Sequence, residues 1–457
     1  MQKKIAITTF GCKLNQAESA QLVEMLIKRG YVITAFEKPA DVYIINSCTV
    51  TAKADARCRQ AIRKARRTAP AATIIVTGCY AEVSPDKLSQ IEGIDYILGS
   101  DYKFSIIDYL ETTARSQHPV IQTCGIKGHP EFINPNCGYF LDNTRAFLKV
   151  QDGCNAFCSY CIVPFARGQS RSGALADILQ KVHELIRRGY REIVLTGAHL
   201  GLYGQDLIPP STLADLLAQI ISIEGDFRIR LSSIEPLDVT PKLIDLLSSS
   251  PKICSHLHIP LQSGDDAILK AMNRNYSAAQ FEFIIQQVLA RNNQIALGTD
   301  IIVGFPGETE SQFENSFQLI KKLPFSYLHV FPYSVRKGTA AARLTSRIPG
   351  TIQAERSQRL RMLGKMKRNR FHQQFLNIVL PVLFEQEAAP GCFSGLTPNY
   401  IRVKAAAEKD VMNRIIPVKI VAVNEDLVTG EIIKNSESFN SSLNFGPQHS
   451  SVIKDLI

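Results

Sequence analysis

Short β-rich runs alternate with helix-spaced stretches through the first three quarters of this 457-residue chain, and no other feature restricts its fold as strongly. Near the start, Ile5–Thr9, Val42–Asn46 and Thr73–Thr77 are rich in Ile, Val and Thr. Between them, Gln16–Arg29 and Lys53–Thr68 carry apolar residues at helical spacing. Strands joined through helices re-enter a sheet in the same direction, so residues 1–115 are predicted to form an α/β domain with a parallel sheet. Residues 116–145 hold Pro119, Pro130 and Pro135 and read as an irregular linker. From 146 to 370 the alternation resumes, with strand candidates Ala146–Val150, Glu192–Thr196, Arg228–Ser232, His256–Pro260, Ala296–Val303 and Tyr327–Pro332. Six such units fit a full or partial β/α barrel, whose chemistry sits on the loops after the strands.

After a basic helix, Gln353–His372, come short strands without helices: Ile378–Phe384, Tyr400–Lys404, Ile415–Val423 and Leu427–Ile433. Residues 371–435 are therefore expected to be a small β-barrel, and residues 436–457, rich in Ser and Asn, a tail. No apolar run approaches the roughly 18 residues that cross a bilayer. The opening ten residues read as a strand rather than a signal peptide, so the expected location is the cytoplasm, without a membrane partner.

Lysine and arginine number 52 against 42 acidic residues, a net charge of +10 that suits a polyanionic partner or simply a basic enzyme. Arg57, Arg59, Arg63, Lys64, Arg66 and Arg67 fall in one stretch with no acid between them. The second basic strip is Arg356, Arg359, Arg361, Lys365, Lys367, Arg368 and Arg370. Either run fits a nucleic-acid backbone or a solvated helix face.

Eleven cysteines, an odd number, point to metal or chemistry rather than disulfides. Cys154, Cys158 and Cys161 form a C-x3-C-x2-C triplet just past the first barrel strand. Three thiolates this close can hold three irons of a [4Fe–4S] cluster and leave the fourth open. Zinc is the alternative, though it prefers a fourth ligand and C-x2-C pairs. Cys12, Cys48 and Cys79 each follow one of the first three strand candidates. A parallel sheet aligns such loops along one edge, where they can converge, with buried structural cysteines as the alternative. Cys124 and Cys137 flank His129 but are too few for a metal site and read as spectators, and Cys58, Cys254 and Cys392 have no evident partners.

The triplet resembles the signature of the radical S-adenosylmethionine (SAM) enzymes, and further runs resemble their methylthiotransferase family from about residue 5 to about 435. These are Thr9–Gln16, Ile45–Val50, Val76–Cys79, Phe147–Gly153, Val163–Gly168, Leu231–Pro236, His258–Gly264 and Thr299–Glu308. The resemblance implies two [4Fe–4S] clusters: Cys154, Cys158 and Cys161 would hold the one that binds and cleaves SAM, and Cys12, Cys48 and Cys79 an auxiliary one that carries the inserted sulfur. It places Thr196 and Gly197 near the methionine part of SAM, Glu235 and Gln262 near its nucleoside, and Gly304 and Glu308 in a loop by the adenine. Glu308 reads equally as a helix-start carboxylate. The last barrel resembles the RNA-binding TRAM module, in which Tyr400 and Arg402 would stack on or grip RNA or serve as plain strand residues.

Family members modify adenosine 37 in the anticodon loop of transfer RNA or an aspartate of a ribosomal protein. The Gly11-Cys12-Lys13-Leu14-Asn15 run resembles the branch acting on N6-threonylcarbamoyladenosine; the isopentenyladenosine branch usually shows Gln-Met in place of Lys13-Leu14. Gly173 departs from that branch, which often has arginine there. The expected function is thus methylthiolation at C2 of threonylcarbamoyladenosine 37. The other two branches, and a non-catalytic RNA-binding iron–sulfur protein, are the rivals. A buried or bidentate arginine would suit the threonyl carboxylate, with Arg167 and Arg171 as candidates.

Overall fold

Three bodies organise the chain, seen in a computed structural model that describes residues 2–110, 118–125, 131–140, 144–407 and 411–433. The first holds β1 (Lys4–Thr9), β2 (Val32–Thr34), β3 (Val42–Ser47), β4 (Thr73–Gly78), β5 (Tyr96–Leu98) and β6 (Val120–Gln122), in the order β2-β1-β3-β4-β5-β6 and all parallel. Every residue of β3 is buried, as expected of a strand covered on both faces. Ile5, Val42, Ile44 and Ile75 pack with Leu22 and Leu26 of the helix Lys13–Lys28. Ala6, Tyr43, Ile45 and Val76 pack with Cys58, Ala61 and Ile62 of the helix Ala52–Thr68 on the other face. Strand β6 corrects the reading of 116–145 as wholly irregular. Three residues are too few to show a period, and pairing with β5, not local propensity, makes them a strand.

The second body starts with β7 (Arg145–Lys149), followed by a short antiparallel pair, β8 (Gln151–Asp152) with β9 (Arg171–Ser172). It continues with β10 (Glu192–Thr196), β11 (Arg228–Leu231), β12 (His256–His258), β13 (Ala296–Val303) and β14 (Tyr327–Pro332). β7, β10 and β11 pair in parallel, as do β12, β13 and β14, and bridges at Ile229–Ile253 and Ser233–His258 join the halves. Six parallel strands in chain order make a partial barrel, with helices such as Leu175–Arg187 and Ala278–Arg291 packed outside. The third body is a closed five-stranded barrel of β15 (Val379–Ala389), β16 (Cys392–Leu396), β17 (Arg402–Ala406), β18 (Ile415–Asn424) and β19 (Leu427–Ile432). The tail from 436 lies outside the described residues.

Buried charge ties these bodies together. Glu18, on the first helix, accepts from Arg167 (3.0 and 3.1 Å), Lys149 (3.4 Å) and Lys103, while Arg167 also bonds Asp152 (2.8 Å) and Asn15 (2.6 Å). These cations hold the Glu18 carboxylate well below its usual range despite the opposing cost of burial. On the other side, Arg228 and Arg230 share Glu192 and donate to the carbonyls of Leu396, Thr397 and Pro398, docking the small barrel onto the large one.

Candidate cluster sites and the cavity between them

Cys12 caps the first helix, Cys48 follows β3 and Cys79 opens a short helix after β4, so parallel pairing brings three distant cysteines to one sheet edge. Asn15 stitches two of these loops, donating to the carbonyls of Phe10 (2.8 Å) and Ser47 (3.0 Å). Ser47 reaches the third, donating to Thr77 O and accepting from Tyr80 N–H at 3.2 Å. Gly11 has φ +102°, and a Cβ there would stand 2.5 Å from Cys48 Cβ, so the approach requires glycine. Burial pushes the Cys48 thiol up to about 12, with Cys79 and Cys12 adding to the rise.

The triplet occupies one loop, held by Cys154 N–H to Gly168 O (3.1 Å) and Cys161 N–H to Cys158 O (2.9 Å). Each sulfur has its own polar neighbour. Arg274 Nη1 donates to Cys158 Sγ at 3.2 Å, Val163 N–H to Cys161 Sγ at 3.4 Å, and His199 Nδ1 lies 3.5 Å from Cys154 Sγ. Asp238 orients that imidazole from Nε2 at 2.7 Å. Donors aimed at sulfur are what an iron–sulfur cluster recruits around itself. None of the cysteines is in a disulfide, so all six thiols are free to act as ligands.

The loop after Cys48 and the triplet loop border one cavity of about 170 Å³, with Cys161 as the cysteine in its lining. Val50 and Thr51, just past Cys48, line one wall; Tyr160, Cys161, Ile162 and Val163 line another; Gln262, Asp300 and Phe331–Ser334 complete it. Below it, Asp300 accepts from His258 Nε2 (2.9 Å) and His329 Nδ1 (3.1 Å). Tyr327 Oη bridges His258 (3.0 Å) and His256 (2.8 Å). These histidines, Asp300 and Arg274 escaped the sequence reading. His258 and Asp300 stood inside quoted runs without a role, and Arg274 is 116 residues from the cysteine it contacts.

The other sequence candidates fall around the cavity unevenly. Gln262 lines it, with a left-handed φ of 67° fixed by backbone bonds to Asp300 and Ile302. Glu235 pairs with Arg274 and so neighbours Cys158. Thr196 ends β10, and Gly197 lies so close to Gln151 that a Cβ would be 2.7 Å from its Oε1. Glu308 accepts from Gly304 N–H (2.7 Å) and from Arg356 (2.6 Å), which commits its carboxylate to its own turn.

Three expectations change on folding. Arg167 is held by Glu18 and Asp152, and Arg171 Nη2 pairs with Asp101 and Asp152, so both guanidinium charges are already matched by carboxylates. Tyr400 turns inward, stacking on His256 at 4.4 Å and under Arg230 at 5.1 Å, rather than outward to RNA; Arg402 pairs with Glu385. The basic helix spends Arg356, Arg359 and Arg368 on carboxylates, and Arg361 and Lys367 on carbonyls. Gly173 packs against Phe132, whose ring a Cβ would meet at 2.7 Å, so no longer side chain fits there. In the other strip, Arg66 bonds Pro70, Ala72 and Gly93 carbonyls, leaving Arg57, Arg63, Lys64 and Arg67 exposed, Lys64 paired with Glu37. Cys124 and Cys137 lie apart, with Cys137 directed to Lys181 O (3.7 Å), and His129 is outside the described residues.

Comparison with known proteins agrees with this architecture. Residues 148–320 match the Radical SAM superfamily, and residues 4–99 match Uncharacterized protein family UPF0004. The fold is similar to the radical SAM methyltransferase TsrM from Kitasatospora setae, at TM-score 0.55 and 15% identity over 75% of this chain and 74% of that one. By sequence the chain is 38% identical to threonylcarbamoyladenosine tRNA methylthiotransferase MtaB of Bacillus subtilis, over 94% of this chain and 96% of the relative. It is 33% identical to a tRNA-2-methylthio-N(6)-dimethylallyladenosine synthase of Clostridium botulinum, over 93% and 96%. It is thus a radical SAM enzyme, and within that class it belongs to the methylthiotransferase family. Membership implies SAM and [4Fe–4S] clusters as cofactors. No helix among the described residues is long and apolar enough to cross a membrane.

Proposed function

We propose that the protein adds a methylthio group to C2 of N6-threonylcarbamoyladenosine at position 37 of transfer RNA, in the cytoplasm. The observation that carries this reading is the single cavity lined both by the loop after Cys48 and by the triplet loop at Cys161. A reaction that needs a radical source and a sulfur source on one carbon requires both at one place. When bound, the cofactors supply a 5′-deoxyadenosyl radical from SAM and the sulfur for insertion, chemistry beyond the reach of side-chain acids and bases.

The chain's own residues hold and tune. Cys154, Cys158 and Cys161 are the ligands of the SAM-binding cluster, and Cys12, Cys48 and Cys79 those of the auxiliary one. Arg274 and the Val163 amide donate to two of the triplet sulfurs and favour their anionic form. Thr196, Gly197, Glu235 and Gln262 border the SAM site, while Gly304 and Glu308 shape its adenine loop through the Glu308–Arg356 pair. Residues 371–435 serve as a TRAM-like RNA contact, with the exposed cations of the helix Ala52–Thr68 as a second one.

The test is nucleoside mass spectrometry after anaerobic incubation of reconstituted enzyme with threonylcarbamoylated transfer RNA, SAM, sulfide and reductant. A nucleoside heavier by one methylthio group in place of hydrogen is the expected product. Formation of 5′-deoxyadenosine without a new nucleoside would reject this substrate.

A further inference from the structure

Lys13 follows Cys12 directly and opens the first helix. Its amine lies 6.0 Å from the centre of the Tyr400 ring, near Arg145, Arg230 and Glu192, and makes no hydrogen bond or ion pair with any described residue. The nearby anions are already engaged. Glu192 is shared by Arg145 (3.6 Å), Arg228 (2.7 Å) and Arg230 (2.7 Å), and Glu385 by Arg145 and Arg402. Among the described residues, cations thus outnumber carboxylates around Tyr400, and Lys13 is left without a counter-ion. A largely enclosed ammonium in that state is costly until an anion joins it.

Contacts connect this spot to the cavity. Tyr400 stacks on His256, Tyr327 links His256 to His258, and Asp300, bound by His258, lines the cavity bordered by the loop after Cys48 and by the triplet loop. The substrate proposed above carries a carboxylate on its threonyl group, beside the adenine to be modified. Arg167 and Lys103, enclosed cations close to the first cysteine set, are already paired with Glu18, and Arg171 is paired with Asp101 and Asp152. We propose that Lys13 binds the threonyl carboxylate and thereby selects threonylcarbamoyladenosine over adenines with uncharged N6 substituents; this rests on the function proposed above.

The experiment compares two synthetic anticodon stem-loops, one bearing threonylcarbamoyladenosine and one in which its carboxylate is a primary amide. Product formation is followed by mass spectrometry with wild-type enzyme, Lys13→Gln and Lys13→Arg. Wild type should prefer the carboxylate loop by about ten- to a hundredfold in kcat/KM, the usual worth of a charge-assisted contact. Lys13→Gln should lose that preference by a rise in KM for the carboxylate loop alone, with iron content and SAM cleavage retained, and Lys13→Arg should keep part of it. Equal use of both loops by wild type overturns the Lys13 assignment while leaving the substrate reading intact, and needs no variant to fold. A Lys13→Gln enzyme that keeps the preference, or weakens on both loops alike as a phosphate contact would, also overturns it. Wild type that methylthiolates neither loop overturns the substrate reading, and the Lys13 assignment with it.

Discussion

The two cysteine trios differ in how they are assembled. The triplet is local: eight residues of one loop carry all three sulfurs, and neighbouring loops add Arg274 and His199 as polar contacts. The N-terminal trio is assembled by topology: its members stand 36 and 31 residues apart and meet because β1, β3 and β4 run parallel and side by side. Its supports are backbone turns and amide stitches through Asn15 and Ser47 rather than cations on sulfur. A local motif survives small shifts of the scaffold. A topological one inherits every change in the sheet or in the Glu18 network beside it.

Single-cysteine variants should separate the trios most sharply. Cys158→Ala should abolish both 5′-deoxyadenosine formation and methylthio product. Cys48→Ala should keep SAM cleavage and lose the product, with iron analysis showing one cluster gone; full product from Cys48→Ala would break the two-cluster reading. Gly11→Ala tests the topological site without touching a sulfur. A Cβ 2.5 Å from Cys48 Cβ, on a residue at φ +102°, should strip most auxiliary iron while leaving triplet iron and SAM cleavage near wild type.

Glu18→Ala leaves Arg167, Lys149 and Lys103 enclosed without their shared carboxylate. Removing one partner of a buried ionic network typically costs about 3–5 kcal/mol, so denaturant unfolding should show a loss of that size and a weaker hold on auxiliary iron. Stability unchanged within 1 kcal/mol would refute the clasp.

The smallest effect is a control outside both sites. Burial lowers His372 to about 4, near the junction of the last helix and the small barrel. Its folded pKa lies below the unfolded 6.5, so the unfolded chain takes up more protons between about 4 and 6.5 and stability falls as pH drops through that window. His372→Phe should flatten this limb by at most about 3 kcal/mol without altering the contrast between the trios; an unchanged acid limb would assign it to another group.

Much of the architecture was legible in residue order. The alternation of β-rich and helical runs announced parallel strands, and all six barrel strands begin within one residue of the predicted start, because each short run lies between helix-spaced stretches. Cys154, Cys158 and Cys161 were legible for the same reason: spacing inside one loop is a property of sequence. Cys12, Cys48 and Cys79 required a sheet to be supposed first. Strands β2, β5, β6, β8, β9 and β16 went unseen, being short and defined by their neighbours.

What residue order by itself determined was the longer strands, the main helices between them and the local triplet, since each depends on propensity and period over a few residues. Tertiary structure alone decided which charges are spent and which are left over. Arg167 and Lys13 are both basic residues beside cysteine motifs, yet one is locked between Glu18 and Asp152 and the other has no counter-ion among the described residues. That difference comes from packing helix against barrel, because an ion pair forms only where folding brings opposite charges within a few ångströms and excludes water around them.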